Sequence, residues 1–308
     1  MSSVKLFSGT NTKYLAQKIA EAYGTKLGLL STQRFSDGEL SPSFDESVRG
    51  YDVYLIQSTF PPSDNLLELL LMIDAAKRAS VAQVTVVMPY FGYGRQDRKD
   101  KPRVSISAKL IANLLSAAGA DRIVTCDLHA GQIQGFFDLP VDHLYASNIF
   151  VPYIQSLNLN NIIFAAPDVG AVGRARGYAK YFTGEIVVCD KYREKPNEIA
   201  SMQVIGNVKG ADVFLVDDIV DTGGTICRAA QALKDKGAKT VRAACTHPLL
   251  SGNAIDIIES SVLVEMVVSD SIPSKNKSSK IKVLSVANLF AKAIRNIHDQ
   301  ESVSSLFL

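Results

Sequence analysis

Residues 215–226 read LVDDIVDTGGTI and set three carboxylates, Asp217, Asp218 and Asp221, directly before Thr222, Gly223, Gly224 and Thr225. The second half suits an anion. Two glycines let successive backbone N–H groups turn into one concavity, two threonines add hydroxyls, and a helix starting just after adds its partial positive charge. A phosphate fits there. The carboxylates cannot face that phosphate, but they can accept hydrogen bonds from the hydroxyls of a sugar attached to it, or meet the ligand through hydrated Mg²⁺. The motif predicts a site for a phosphorylated polyol. The plainer alternative is an acidic turn followed by a helix cap.

Other chemistry-bearing residues are scattered along the chain. Residues 94–103 (GRQDRKDKPR) hold five basic side chains, Arg95, Arg98, Lys99, Lys101 and Arg103, against two acidic ones. By charge alone this is a solvated loop, although such a loop could also close over a polyphosphate and exclude water. His129 ends the apolar run RIVTCDLH and Asp168 ends NIIFAAPD. A lone His is most often a hydrogen-bonded structural residue, and a lone Asp a turn or cap former. Lys191 and Arg193 follow EIVVCD and, two apart, present two cations on one side of an extended segment. That pairing suits a phosphoryl transition state, or simply a solvated strand end. Residues 35–39 (FSDGE) are by themselves an ordinary Ser-Asp-Gly turn.

Something must position these groups. Short runs rich in Val, Ile and Ala recur at 52–58, 84–90, 122–129, 161–168, 185–191, 212–218 and 240–247. Continuous apolar runs suit parallel strands buried on both faces. Helical patterns lie between them at 65–80, 105–118, 226–237 and 286–298, which is the α/β, parallel-sheet alternation. Most of the candidate residues sit at the ends of those strands, where α/β sheets bind ligands. GADRIVTCDLH (119–129) and GAKTVRAACTH (237–247) are alike, and this likeness points to two similar α/β domains dividing near 140–150.

The bulk composition bounds the class. The chain has 308 residues, is 47% hydrophobic and 21% charged, and carries a net charge of +2. It is long enough for two globular domains, and its weak net field gives no reason to expect nucleic acid or anionic membrane as a partner. The opening MSSVKLFSGT reads as a strand and turn rather than a leader. Cys126, Cys189, Cys227 and Cys245 show no CxxC spacing, so reduced structural thiols in a cytoplasmic protein are expected.

VDDIVDTGGT resembles the phosphoribosyl-pyrophosphate signature of the type I phosphoribosyltransferase fold. RFSDGE (34–39), PYFGYGRQDRK (89–99), CDLHAGQIQGFF (126–137), PDVGAVGRA (167–175), DKYREKPN (190–197) and ESVSSLF (301–307) narrow the likeness to the ribose-phosphate pyrophosphokinase family, in that family's order and over nearly the whole chain. The resemblance implies two phosphoribosyltransferase-like domains, 1–145 completed by 295–308, and 146–294. It implies transfer of the diphosphoryl group of ATP to the C1 hydroxyl of ribose 5-phosphate, giving phosphoribosyl pyrophosphate and AMP. Carried over by position, it gives Phe35, Asp37, Gly38, Glu39, Arg95, Gln96, Arg98 and His129 to ATP. It gives His129 and Asp168 to Mg²⁺, and Lys191 and Arg193 to the transition state. Arg193, Asp217, Asp218, Asp221, Thr222, Gly223, Gly224 and Thr225 go to ribose 5-phosphate. It also implies a homo-oligomer, commonly a hexamer, activated by inorganic phosphate and inhibited by ADP.

The chain departs from the family pattern at RVSI (103–106), at VGAVG (169–173) and in DKYREKP (190–196), and SKNKSSK (274–280) reads as a solvated loop. None of these removes a residue with an assigned role. A phosphoribosyltransferase that consumes the product would need neither the basic loop nor His129 nor the Lys191/Arg193 pair. A silent relative would be expected to have lost them.

Overall fold

The apolar runs do become parallel strands, and each βα step carries the chain back to start the next one. The structure is a computed structural model and describes residues 3–192, 201–274 and 278–306. The first unit is built from β1 (Val4–Ser8), α1 (Lys13–Tyr23), β2 (Leu30–Arg34), β3 (Leu40–Phe44), β4 (Asp52–Ile56), α2 (Asp64–Arg78), β5 (Gln83–Met88), α3 (Ser107–Ala118), β6 (Arg122–Cys126) and β7 (Val141–Leu144). Its sheet runs β1-β4-β5-β6-β7 with every neighbour parallel, while β2 and β3 form a separate antiparallel hairpin. The buried faces of α2 and α3, among them Leu69, Met72, Ile73, Ile111 and Leu115, pack with Val53, Leu55, Val84 and Val86 into one core.

The second unit contains α4 (Ser147–Ser156), β8 (Ile162–Ala166), α5 (Val172–Ala179), β9 (Ile186–Tyr192), β10 (Ser201–Ile205), β11 (Asp212–Val220), α6 (Gly224–Asp235), β12 (Thr240–Pro248), α7 (Ala254–Glu259), β13 (Glu265–Ser269) and β14 (Ile281–Leu284). Its sheet runs β10-β9-β8-β11-β12-β13-β14, with only the β10–β9 pair antiparallel among the described residues. Val213, Leu215, Ala229, Ala230, Leu233, Val241 and Ala243 lie at the centre of its core. Cys126, Cys189 and Cys245 are buried in strands, and all four cysteines are free thiols. Among the described residues no helix is long and apolar enough to cross a membrane.

After β14 the chain enters α8 (Ala287–His298), which packs on α1 of the first unit and buries Leu289, Phe290, Ala293 and Ile294. The first unit therefore comprises residues 1–145, 271–273 and 286–308, and the second 146–270 and 274–285. The returning segment begins at Val286 rather than at residue 295, because the apolar stripe of α8 runs its full length and cannot be divided between two cores.

The two units share one chain order. Strand, helix, antiparallel pair, strand, helix, strand, helix, strand, strand describes β1 to β7 and again β8 to β14. This equivalence sets β4 against β11, DVYLIQS (52–58) against DVFLVDD (212–218), and β5 against β12. The likeness between 119–129 and 237–247 sets β6 against β12, one βα step out of register, because it scores the Gly-Ala turn common to many βα steps. The turn itself has a physical basis. Gly119 closes α3 with φ +109°, and a Cβ there would fall 2.7 Å from Lys77 Cγ. Gly119→Ala is expected to cost about 1–2 kcal/mol, mostly from the left-handed backbone since the lysine can move. Urea unfolding with an unchanged m-value would measure it.

Candidate active site

β11 is longer than its apolar run suggests. Pairing with β12 continues through Asp217 opposite Cys245, Ile219 opposite His247 and Val220 opposite Pro248. The strand thus runs two residues past the 212–218 run, and Asp217 and Asp218 within it alternate across the sheet. Asp218 is buried, and Arg174 of α5, a residue that sequence reasoning did not single out, brings Nη2 to 3.7 Å from its Oδ1. Burial pushes the Asp217 carboxyl well above the ordinary carboxylate range, the adjacent Asp218 pushes it further, and Arg174 opposes both. The Cys245 thiol is driven up by burial and then by the same two carboxylates.

The loop that follows is short and anchored. Leu250 N–H donates to the Val220 carbonyl at 3.2 Å and Ser251 N–H to that of Asp221 at 2.9 Å. Gly223 caps α6 with φ +74°, and a Cβ there would lie 3.4 Å from both the Ala254 carbonyl oxygen and Ile258. The helix starts at Gly224, two residues earlier than the sequence pattern suggests, and its first internal bond is Cys227 N–H to Gly223 O at 3.0 Å. The N–H groups of Gly224, Thr225 and Ile226 thus precede the hydrogen-bonded turns and have no acceptor within the helix. Asp217, Asp218, Asp221 and Thr222–Thr225 occupy the end of β11, the short loop after it and the start of α6. Asp168 caps the turn after β8, accepting from Ala171 N–H at 3.1 Å, and is exposed. Lys191 lies within β9, its backbone paired with Met202 of β10. Arg193 lies outside the described residues, as do 275–277 of the loop read at 274–280 and Phe307 of the closing motif.

In the first unit the basic residues rise from the end of β5. Gly92 N–H donates to Thr59 Oγ1 at 2.8 Å, and a Cβ on Gly92 would sit 2.1 Å from the Thr59 carbonyl oxygen, so only glycine fits. Arg95, Gln96, Arg98, Lys99, Lys101 and Arg103 are exposed. Among the described residues, Arg98, Lys99, Lys101 and Arg103 are in no ion pair. Gln96 accepts from Ser107 Oγ at 2.5 Å, tying the loop to the start of α3. His129 is exposed and stands beside the same loop: a Cβ on Gly94 would be 3.6 Å from the His129 Cβ. Its turn is held from below, where Leu128 N–H donates to His143 Nε2 at 2.8 Å, which gives His143 a structural place. The 35–39 turn tips the β2–β3 hairpin, with Phe35 46% exposed, Gly38 at φ +99° and Glu39 N–H donating to Asp37 Oδ1 at 3.1 Å.

A twice-used parallel α/β unit, with an acidic strand end meeting an N–H cradle in one copy and a basic loop in the other, defines an α/β phosphotransferase built from two phosphoribosyltransferase-like domains. A family model of the N-terminal domain of ribose phosphate pyrophosphokinase matches residues 4–119, and a model of the phosphoribosyl synthetase-associated domain matches 184–308. The chain is 55% identical over 307 residues to a ribose-phosphate pyrophosphokinase of Porphyromonas gingivalis, covering 99% of this chain and 98% of that protein. It is 54% identical over 309 residues to one of Campylobacter jejuni, covering 100% of each. The crystal structure of phosphoribosylpyrophosphate synthetase from Mycobacterium smegmatis matches with a TM-score of 0.92 at 38% identity, over 97% of this chain and 100% of that one. The chain belongs to the ribose-phosphate pyrophosphokinase family.

Proposed function

We propose that the protein transfers the diphosphoryl group of ATP to the C1 hydroxyl of ribose 5-phosphate, releasing AMP. The observation that carries this is the end of β11. Backbone N–H groups at the start of α6 and the Thr222 and Thr225 hydroxyls receive the 5-phosphate, while Asp217 and Asp221, with Asp218 behind, accept from the ribose hydroxyls. Arg95, Gln96 and Arg98 bind the ATP phosphates. Phe35, Asp37, Gly38 and Glu39 hold the nucleotide, the exposed Phe35 ring offering a stacking face to adenine. Lys191 and Arg193 neutralise charge that develops as the β-phosphorus is attacked.

Asp168 and His129 are the protein groups assigned to Mg²⁺. The donor set fits an ion that arrives with the nucleotide: among the described residues no three His, Cys, Asp or Glu side chains gather to cage a metal, and Asp168 is an exposed oxygen donor. Mg²⁺ characteristically keeps waters and phosphate oxygens as ligands and takes few from the protein. When bound it spreads and neutralises the charge of the transferring phosphates.

The cytoplasm as the place of action, a homo-oligomer with hexamers as the working form, activation by inorganic phosphate and inhibition by ADP complete the reading, and rest on the family resemblance. The test is AMP formation from ATP, which should require both ribose 5-phosphate and Mg²⁺. Well-folded protein that forms no AMP under those conditions would overturn it.

A further inference from the structure

The two units treat equivalent places differently. In the second, the end of β11 presents Asp217 to a ligand. In the first, the matching residue at the end of β4 is Gln57, fully buried, and protein fills the space around it. A Cβ on Gly9 would lie 2.4 Å from the Gln57 side chain, so even the backbone is closed over it. At the centre of this packing is Glu68 of α2, a carboxylate 2% exposed. It accepts from Gln57 Nε2 at 2.9 Å, from Thr10 N–H at 3.1 and 3.2 Å, from Thr10 Oγ1 at 2.5 Å and from Thr32 Oγ1 at 2.7 Å. A buried charge is tolerated only when satisfied in this way.

Three of those donors lie in the body of the unit, but Thr32 lies in β2, on the hairpin that carries the 35–39 turn. The hairpin is outside the main sheet, with β3 packed along α2 and Leu30 and Phe44 against the core of the unit. At its base, Phe44 packs edge-on against Phe7 with ring centroids 4.8 Å apart, and Lys5 of β1 pairs with Glu46. Near its tip, Arg34 pairs with Asp64 at 2.6 Å, but both side chains are about half exposed (53% and 46%), so this pair is weak. Between base and tip, the part-buried Thr32–Glu68 bond ties β2 to α2 through a side chain that the rest of the unit already holds in place.

We propose that Glu68 is a positioning residue for nucleotide binding: through Thr32 it fixes the hairpin so that the 35–39 turn meets ATP in one orientation. This rests on the reading of that turn as a nucleotide contact. Thr32→Val removes the one bond and leaves Glu68 its other donors. Glu68→Gln removes the charge and turns an amide N–H₂ toward Thr10 N–H or Gln57 Nε2. In full-length enzyme both variants should raise KM for ATP about tenfold while KM for ribose 5-phosphate stays within about twofold. Amides of residues 30–44 should exchange faster in Thr32→Val, with the melting temperature little changed. A general loss of stability that raises both KM values together would overturn the proposal. So would an unchanged KM for ATP, and Phe35→Ala then says where the failure lies. If Phe35→Ala raises KM for ATP, the role given to Glu68 is wrong. If it too has no effect, the turn is not a nucleotide contact and the underlying reading has failed.

Discussion

Replacing Lys191 by alanine is expected to lower kcat by roughly three orders of magnitude, since removing a single cation from a phosphoryl transition state has effects of that size. KM for ribose 5-phosphate should move little, because the lysine acts on charge that appears only as the bond forms. The fold should survive. What β9 contributes to the core is Val187 and Cys189, and its ladder with β10 is made of backbone bonds, from Tyr192 opposite Ser201 to Val188 opposite Ile205. Circular dichroism and melting would confirm an intact fold, and single-turnover AMP release would measure the chemical step. A near-normal rate in the folded variant would remove Lys191 from the mechanism.

Asp217→Asn should weaken ribose 5-phosphate about 10- to 100-fold, the scale of a lost hydrogen bond to a charged acceptor, yet make the unliganded protein more stable. The sign follows from the direction of its pKa. Burial and Asp218 raise the folded-state value, so the folded protein holds the proton more tightly than the unfolded chain. Stability is then full below the unfolded-state pKa and is lost as pH rises through the folded-state one. Above the unfolded-state pKa the carboxyl therefore costs the apoprotein stability, and asparagine, which carries no titrating proton, relieves that cost. The melting-temperature advantage of the variant should vanish at pH below the unfolded-state pKa and grow as pH rises from there toward the folded-state one. Calorimetric titration with ribose 5-phosphate and melting curves across pH would check both halves. Undiminished affinity, or a lower melting temperature at neutral pH, would show that the carboxylate pair is a structural feature rather than strain held for the ligand.

Glu68 stands on the other side of the same distinction. Equivalent strand ends carry Asp217 in one unit and Gln57 in the other, and only the first is not fully buried. Binding groups are left imperfectly satisfied by the protein so that a ligand can satisfy them. Structural groups such as Glu68 are satisfied internally.

Local chemistry alone determined a good deal. Parallel strands were legible because strands buried on both faces are apolar throughout, as in 213–216 and 53–56. The turn at Thr222–Ile226 was legible because a positive φ, three N–H groups and two hydroxyls within five residues depend on nothing distant. Three things required the tertiary structure. The true length of β11 was set by β12, whose pairing carries the strand past Asp218 to Ile219 and Val220. The register of the repeat was set by strand order, since the Gly-Ala turn at 119 and at 237 serves any βα step. The joining of Glu68 to Thr32, of Arg174 to Asp218, and of His129 to the loop at Gly94 brings together residues between 35 and 44 positions apart. No periodicity spans such separations. The residues fall into contact only because parallel strands return every βα unit to the same end of the sheet.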